Sequence, residues 1–235
     1  MDARASRVDA MSLEETPSSA EETTSSAEEA PSIDLLVLGQ SEAELEDFLR
    51  RSPTAATEAK LNLVANPKKK LGGLALLANQ TIDRGQGSVV GAVHADTTFA
   101  PGAITVLARA ALEGAGRVVG LVGRGFDPIF IVWGSEGGGP VSTLDSCSVF
   151  MPRSLGLRFD AQTFDDFHCA VEDLCIAAAE RSIPIFVPAV DAGHTGEMTI
   201  KNPTEWLPNY YRYKELLHRK WPGRVFVTTG DPPRK

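Results

Sequence analysis

Runs of apolar residues alternate with amphipathic segments along most of the chain. Three short runs are apolar almost throughout and predict strands, at 33–39, 61–66 and 88–96. The segments that follow them predict helices, at 41–51, 71–83 and 101–116. Ser41 and Glu44 form a capping box that marks the start of the first helix. Apolar strands that alternate with helices indicate an α/β fold around a parallel sheet buried on both faces.

The second half of the chain continues the alternation with less regular spacing. Further strands are predicted at 117–123, 128–134, 143–150 and 183–187, and further helices at 166–181 and 203–221. The glycine-rich stretch 134–140 is predicted to be a mobile loop over a site. We therefore expect one domain, at 32–223, with a mixed, mostly parallel central sheet flanked by helices.

The first 31 residues differ from the rest in composition. They carry eight acidic residues against two arginines, and so account for −6 of the net charge of −8. The sequence SSAEE occurs twice in this segment, and no apolar side chain larger than that of Ala marks the repeat. Such a composition cannot offset the entropy cost of ordering, so residues 1–31 are predicted to be a disordered acidic Ser/Glu-rich tail. At the other end, 224–235 is predicted to be an extension with a short strand and a loose basic terminus.

Composition also excludes several classes of function. The chain after the tail carries only −2 of the net charge and offers no basic footprint for nucleic acid. No apolar run reaches the ~18 residues of a membrane span, and the start of the chain lacks the apolar core of a signal peptide. We therefore expect a cytoplasmic protein. Cys147, Cys169 and Cys175 are too few and too irregularly spaced for a disulfide framework or a zinc ribbon, and are expected to be reduced core residues.

His94 and Asp96 follow the third predicted strand directly. Ligands of open α/β sheets bind at the carboxyl ends of the strands, which is where this pair is expected. One or two protein groups suffice for Mg²⁺ or Mn²⁺ when phosphates supply the other oxygens. The alternative is that Asp96 caps the turn before the helix that begins near Pro101. The residues alone favour neither.

Three more polar features could take part in chemistry. The acidic segment 165–173 offers Asp173 as a general base, or else an acid that favours the N-terminal end of a helix dipole. His194 lies in a glycine-rich loop, where it is either exposed or a ligand. The basic residues at 218–221 could meet a phosphate, or else favour the C-terminal end of their own helix. The GxSxG, GxxxxGK[ST] and GxGxxG motifs are all absent.

The order of these motifs resembles that of family-2-type glycosyltransferases of the GT-A fold, especially the bacterial branch with a vHxDv motif. Segment 77–83 resembles the yNxgi helix, and 89–102 resembles the strand that ends in a metal-binding Asp. Segment 142–160 resembles the vDgxxl…FDe stretch, and 167–188 resembles fHxYgxDlCl and the strand after it. DAGHTG resembles the closing histidine motif, and RKW the usual C-terminal end. The resemblance covers 33–221 and implies a GT-A-like (Rossmann-like) domain.

The resemblance implies a role for each matching position. Asp96, with His94 beside it and His194 as a second ligand, would bind Mn²⁺ or Mg²⁺. Asp173, with Glu172, would be catalytic, with Asp173 as the base toward an acceptor hydroxyl. The remaining implied positions contact the nucleotide-diphosphate-sugar donor (Gln40, Asn66 and Asn79) or the sugar and acceptor (Trp133, Asp145 and His168).

The resemblance implies a metal-dependent glycosyltransferase, and two alternatives are left open. A non-catalytic GT-A-like module that binds a nucleotide or a partner is favoured by Thr98, which stands where a second Asp of a DxD pair is expected. A nucleotidyltransferase would need a phosphate-cradling turn after the first strand, for which LGQSEAE is a poor match. The acceptor stays open among a glycan, a lipid-linked sugar, a small molecule and a protein, and a homo-oligomer is compatible with the sequence.

Overall fold

A computed structural model describes residues 30–67, 70–125, 130–195 and 203–224, together with 226 and 228. Residues 1–29 of the predicted acidic tail lie outside the described residues. Most of the predicted extension at 224–235 lies outside them as well. The six α-helices of the described residues are α1 (Glu42–Arg51), α2 (Ala55–Glu58), α3 (Leu74–Arg84), α4 (Ala103–Leu112), α5 (Ala170–Glu180) and α6 (Pro203–Lys220). None of them combines the length and the apolar character that a membrane crossing requires.

The described strands lie in three sheets. In chain order they are β1 (Ile33–Gly39), β2 (Lys60–Ala65), β3 (Val89–His94), β4 (Thr97–Phe99), β5 (Val118–Val119), β6 (Val122–Gly125), β7 (Phe130–Trp133), β8 (Gly139–Pro140), β9 (Thr143–Leu144), β10 (Ser148–Pro152), β11 (Ile185–Val187) and β12 (Ala192–His194).

The central sheet has seven strands in the order β2-β1-β3-β10-β5-β11-β8. β2, β1 and β3 are parallel, β10 is antiparallel to both of its neighbours, and β5 and β11 are parallel to each other. β8 closes the far edge antiparallel to β11. The prediction of a mixed, mostly parallel central sheet is confirmed.

Helices cover both faces of this sheet. Along β1 the side chains alternate, so that Leu35 and Val37 pack into the core with α1 and α4, whereas Leu36 and Leu38 pack into the core with α3, α5 and α6. All four are almost completely buried. The prediction of a sheet buried on both faces is thus confirmed for β1 and β3, whereas β2, at the edge of the sheet, is half-buried to exposed and does not fit it.

The structure corrects four predicted elements. The helix predicted at 166–181 begins at Ala170, because Cys169 has a left-handed backbone (φ 62°) that a right-handed helix cannot include. The strands predicted at 117–123 and at 143–150 are each divided between two sheets. The stretch 134–140 is not simply a loop, since its last two residues form β8 and pair with β11.

Candidate functional site

Three backbone connections bring His94, Asp96 and His194 together. His94 is the last residue of β3, and the amide of Ala95 donates to the carbonyl oxygen of Leu38 at the same end of β1. The chain then turns into β4, which pairs antiparallel with β12 so that His194 lies opposite Thr97. The third connection is the amide of Thr195, which donates to the Asp96 carbonyl oxygen at 3.2 Å.

Each of these three side chains offers one ligand atom, and the three atoms lie within 4.8 Å of one another. Nε2 of His194 lies 3.2 Å from Oδ1 of Asp96, an ion-pair distance, but the direction does not satisfy hydrogen-bond geometry. Nε2 of His94 and Oδ1 of Asp96 are buried and have no hydrogen-bond partner in the described part of the chain. Because buried polar atoms almost always have a partner, two such atoms side by side fit a cation.

Electrostatics at the cluster favour cation binding as well. Burial alone would raise the pKa of Asp96, but His194 and His94 outweigh it and hold this pKa below its usual value. Burial lowers the pKa of His94, which favours the neutral imidazole that a metal requires. His194 is the opposite case, since Asp96 and Asp145 outweigh burial and raise its pKa. Two carboxylates therefore attract positive charge to this point.

Arg51, at the end of α1, braces the loop that carries Asp96. Its Nη2 donates to the Ala95 carbonyl oxygen at 2.7 Å, and its Nη1 donates to the Thr97 carbonyl oxygen at 2.8 Å and to the Thr98 hydroxyl. Nε of the same guanidinium contacts Asp47 at 2.6 Å. The side chain of Thr98, where a second carboxylate was expected, is thus part of this brace.

The segment before α5 forms one wall of the cluster. The ring of Phe167 meets that of His94 edge-on, with centroids 5.9 Å apart. The backbone of this segment lies against Gly73, where a Cβ would come within 2.5 Å of the carbonyl oxygens of Asp165 and Asp166. His168 turns away into an aromatic group with Trp206, Tyr210 and Tyr213, with centroids 6.1 to 6.3 Å from its own.

Asp173, the predicted base, lies in a different environment. Its side chain is 3 % exposed, accepts from Lys220 Nζ at 2.8 Å through Oδ2, and accepts from the indole Nε1 of Trp221 at 2.7 Å through Oδ1. Burial raises its pKa, and the two donors offset only part of that rise. Lys220 is shared with Asp160 at 2.8 Å. Two residues of the basic stretch 218–221 thus serve an internal network. Glu172, beside Asp173, is 2 % exposed in the first turn of α5.

Other predicted contact residues hold the fold. The Asn66 side chain bonds Gly72 and Leu71 of its own loop, at 2.7 and 2.9 Å. The Asn79 amide makes two hydrogen bonds to the backbone of Phe159. Gln40 is half-buried after β1, and Trp133 lies partly exposed on β7. Their assignment to the donor or the sugar stays a prediction.

Asp145 and Cys147 join the cluster from the turn between β9 and β10. Asp145, Cys147 and His194 also offer ligand atoms that lie within 4.8 Å of one another. The family resemblance implied a role for Asp145, whereas Cys147 was expected in the core, since three cysteines at irregular spacing carry no functional signal. Cys147 is indeed buried, as are Cys169 and Cys175, and all three are free thiols. The sequence does not predict that Arg51 contacts the site, because a basic residue at the C-terminal end of a helix is explained by the helix dipole alone.

Comparisons with known proteins find similarity of overall fold only. No family model matches the sequence, and no curated protein matches it. Among solved structures, the chain is similar to the mannosyltransferase PcManGT from Pyrobaculum calidifontis in complex with GDP-Man and Mn²⁺ (TM-score 0.49, 13 % identity, covering 69 % of this chain). It spans 58 % of the length of that chain. It is also similar to TarS 1–349 of S. aureus (TM-score 0.49, 13 % identity), over 81 % of this chain and 72 % of the other.

Proposed function

We propose that this protein is a glycosyltransferase that uses a nucleotide-diphosphate-sugar donor and a divalent cation. The observation that carries the proposal is the convergence of His94, Asp96 and His194 at the carboxyl end of β3, where Nε2 of His94 and Oδ1 of Asp96 are buried without a hydrogen-bond partner among the described residues. An anionic diphosphate needs such a cation, and the carboxyl edge of a mostly parallel sheet is where α/β proteins bind nucleotides.

The residues at the site fit this cation. The carboxylate of Asp96 and the imidazoles of His94 and His194 would hold Mn²⁺ or Mg²⁺, and the two nitrogen ligands favour Mn²⁺ over Mg²⁺. When bound, the cation neutralises the charge that develops on the departing diphosphate. Three protein ligands leave room for phosphate oxygens, as a donor-binding site requires.

The other roles are those of the chain's own side chains. Asp173 is the candidate base that takes the proton of the acceptor hydroxyl, and its raised pKa suits that task. Each of its oxygens accepts one hydrogen bond, and the side chain is 3 % exposed, so the acceptor hydroxyl has to reach one of the remaining lone pairs. We assign the acceptor side to Asp145 and to His168, which lies among the rings of Trp206, Tyr210 and Tyr213.

One observation favours a second candidate, a nucleotide-binding module without turnover. Arg51 donates a hydrogen bond to the hydroxyl of Thr98. Both carboxylate oxygens of Asp173 already accept hydrogen bonds, from Lys220 and Trp221. A nucleotidyltransferase is not proposed, because the backbone N–H of Gln40 donates to Glu44 at 2.6 Å. An acidic side chain thus occupies the turn in which a phosphate would have to lie.

The test separates donor binding from turnover. A panel of nucleotide diphosphate sugars is titrated into the protein with Mn²⁺ by calorimetry, and slow hydrolysis of each donor is then followed. Asp96→Asn removes the proposed ligand charge, and Asp191→Asn, at an exposed Asp outside the cluster, is the control. The proposal requires binding and hydrolysis that Asp96→Asn abolishes and Asp191→Asn preserves. Binding without any hydrolysis or transfer supports the module, and no binding of any donor contradicts both.

A further inference from the structure

Cys147 enters the metal cluster because an antiparallel strand begins where β3 ends. β10 pairs with β3 in a register that places Ser148 opposite Val93. The amide of His94 donates to the Cys147 carbonyl oxygen at 2.9 Å, so the two residues are neighbours at one edge of the sheet. Ser148, the first residue of β10, is held as well, since its hydroxyl accepts a hydrogen bond from the amide of Leu121 at 2.7 Å. The position of Cys147 is thus fixed by its own main-chain hydrogen bond to His94 and by the hydrogen bond of the neighbouring Ser148 hydroxyl.

Asp145 turns the chain so that its own side chain and that of Cys147 lie close together. Its Oδ1 accepts from the Cys147 amide at 2.8 Å, while its own amide donates to the Val122 carbonyl oxygen at 2.9 Å. The thiol and this carboxylate then lie within 4.8 Å of the same ligand atom of His194. Cys147 is fully buried, whereas Asp145 and His194 are half-buried, so an ion can enter between these two.

The geometry points to a second, thiolate-containing metal site formed by Asp145, Cys147 and His194, which takes Zn²⁺ and competes with the harder cation for His194. A thiolate, an imidazole and a carboxylate are the ligand types that Zn²⁺ prefers, and a thiolate selects against Mg²⁺ and Mn²⁺. On binding, the Cys147 S–H bond breaks, the sulfur keeps the electron pair as the metal ligand, and one proton passes to the buffer. The site requires no sugar chemistry and stands whether or not the proposed transferase activity does.

The consequence is selection between two metals at one edge of the sheet. His94, Asp96 and His194 form a set without sulfur, and Asp145, Cys147 and His194 form a set with it. Because His194 belongs to both, filling the sulfur set withdraws a ligand from the other. We therefore expect Zn²⁺ to displace Mn²⁺ and to inhibit any Mn²⁺-dependent activity.

Cobalt provides the direct readout, because Co²⁺ coordinated by a thiolate shows a charge-transfer band in the near ultraviolet. The full chain is freed of metal with a chelator, titrated with Co²⁺, and then titrated with Zn²⁺ to displace it. The wild type is expected to show the band, to lose it to Zn²⁺, and to release about one proton per ion bound. Mn²⁺ is expected to leave the band in place until it is in large excess.

Matched variants decide which sulfur is involved. Cys147→Ser should abolish the band and weaken Zn²⁺ binding by about 10- to 100-fold or more, since loss of even an outer-shell partner has an effect of that size. Cys175→Ser is the control and should retain the band and the Zn²⁺ affinity of the wild type. Asp145→Asn retains the hydrogen bond to the Cys147 amide and loses the charge, so it should weaken Zn²⁺ binding without unfolding the chain. Thermal unfolding confirms that each variant is folded. A Co²⁺ spectrum without the band, or a band that survives in Cys147→Ser, overturns the inference.

Discussion

Arg51 donates a hydrogen bond from Nη2 to the carbonyl oxygen of Ala95 at 2.7 Å, one residue before the carboxylate on which the proposed function rests. The same guanidinium bonds the Thr97 carbonyl oxygen on the other side of Asp96. The end of α1 therefore fixes the peptide unit before Asp96 and the one after Thr97, and Arg51 acts as a positioning residue for the metal site.

Arg51→Lys is expected to weaken Mn²⁺ binding by about 10-fold or more, the effect typical of losing a partner that orients a ligand. Lysine keeps the charge but cannot make the fork of hydrogen bonds that reaches three acceptors. Calorimetric titration with Mn²⁺ measures the change. Arg50→Lys is the matched control, because Arg50 is the neighbouring, exposed arginine that pairs only with Asp47 among its described contacts. An unchanged Mn²⁺ affinity in Arg51→Lys would show that the brace does not act on the site.

Asp173→Asn separates a catalytic role from a structural one. If Asp173 is the base, the variant should bind Mn²⁺ and donor as the wild type does and should lose about a hundredfold or more of sugar transfer. Asp160→Asn is the control, because it weakens the other ion pair of Lys220 and leaves Asp173 in place. This variant should leave sugar transfer almost intact. Equal losses of transfer in the two variants would mean that Asp173 serves the Lys220 network and not the reaction.

Trp221→Phe changes the pKa of Asp173 without removing its carboxylate. The indole N–H donates to Asp173 and lowers its pKa, against the larger effect of burial. Loss of the donor should raise that pKa further, so the acidic limb of the pH–rate profile should move to higher pH. A profile that stays in place would exclude Asp173 as the group that must lose its proton.

The pKa of Asp160 determines how its ion pair with Lys220 responds to acid. Burial raises its pKa, but Lys220 and Thr163 outweigh this effect and bring it to about 2. This pKa lies below the value of about 4 in the unfolded chain, so the stabilisation is complete above that pH and is lost as the pH falls toward 2. Asp160→Asn should therefore cost at most about 1 kcal/mol at neutral pH, and this cost should shrink below a pH of about 4 and disappear only as the pH falls through the folded-state pKa of about 2. Urea unfolding across this range measures it, with the exposed Asp83→Asn as the control.

Most of the fold was predictable from the pattern of apolar residues. β1, α1 and β3 lie where the pattern placed them, because each is long enough to show its own periodicity. The two-residue strands β5 and β8 are too short to show one. The late start of α5 depends on the left-handed backbone of Cys169. Cysteine rarely adopts this conformation, so the sequence does not predict it.

The candidate site was predictable only in part, for reasons visible in particular residues. His94 and Asp96 are two residues apart at a strand end, so the sequence alone brings them together. Their distance from His194 depends on the pairing of β4 with β12, a contact between segments almost a hundred residues apart. Cys147 and Arg51 reach the cluster through packing alone, and each has an ordinary explanation when the sequence is considered by itself.

The most direct test of the central claim is calorimetric binding of a nucleoside diphosphate to the wild type and to Asp96→Asn, each with and without Mn²⁺. The proposed site predicts Mn²⁺-dependent binding in the wild type that Asp96→Asn loses, with Asp191→Asn as an unaffected control at an exposed Asp outside the cluster. Binding that is the same without Mn²⁺, or that survives in Asp96→Asn, would contradict it.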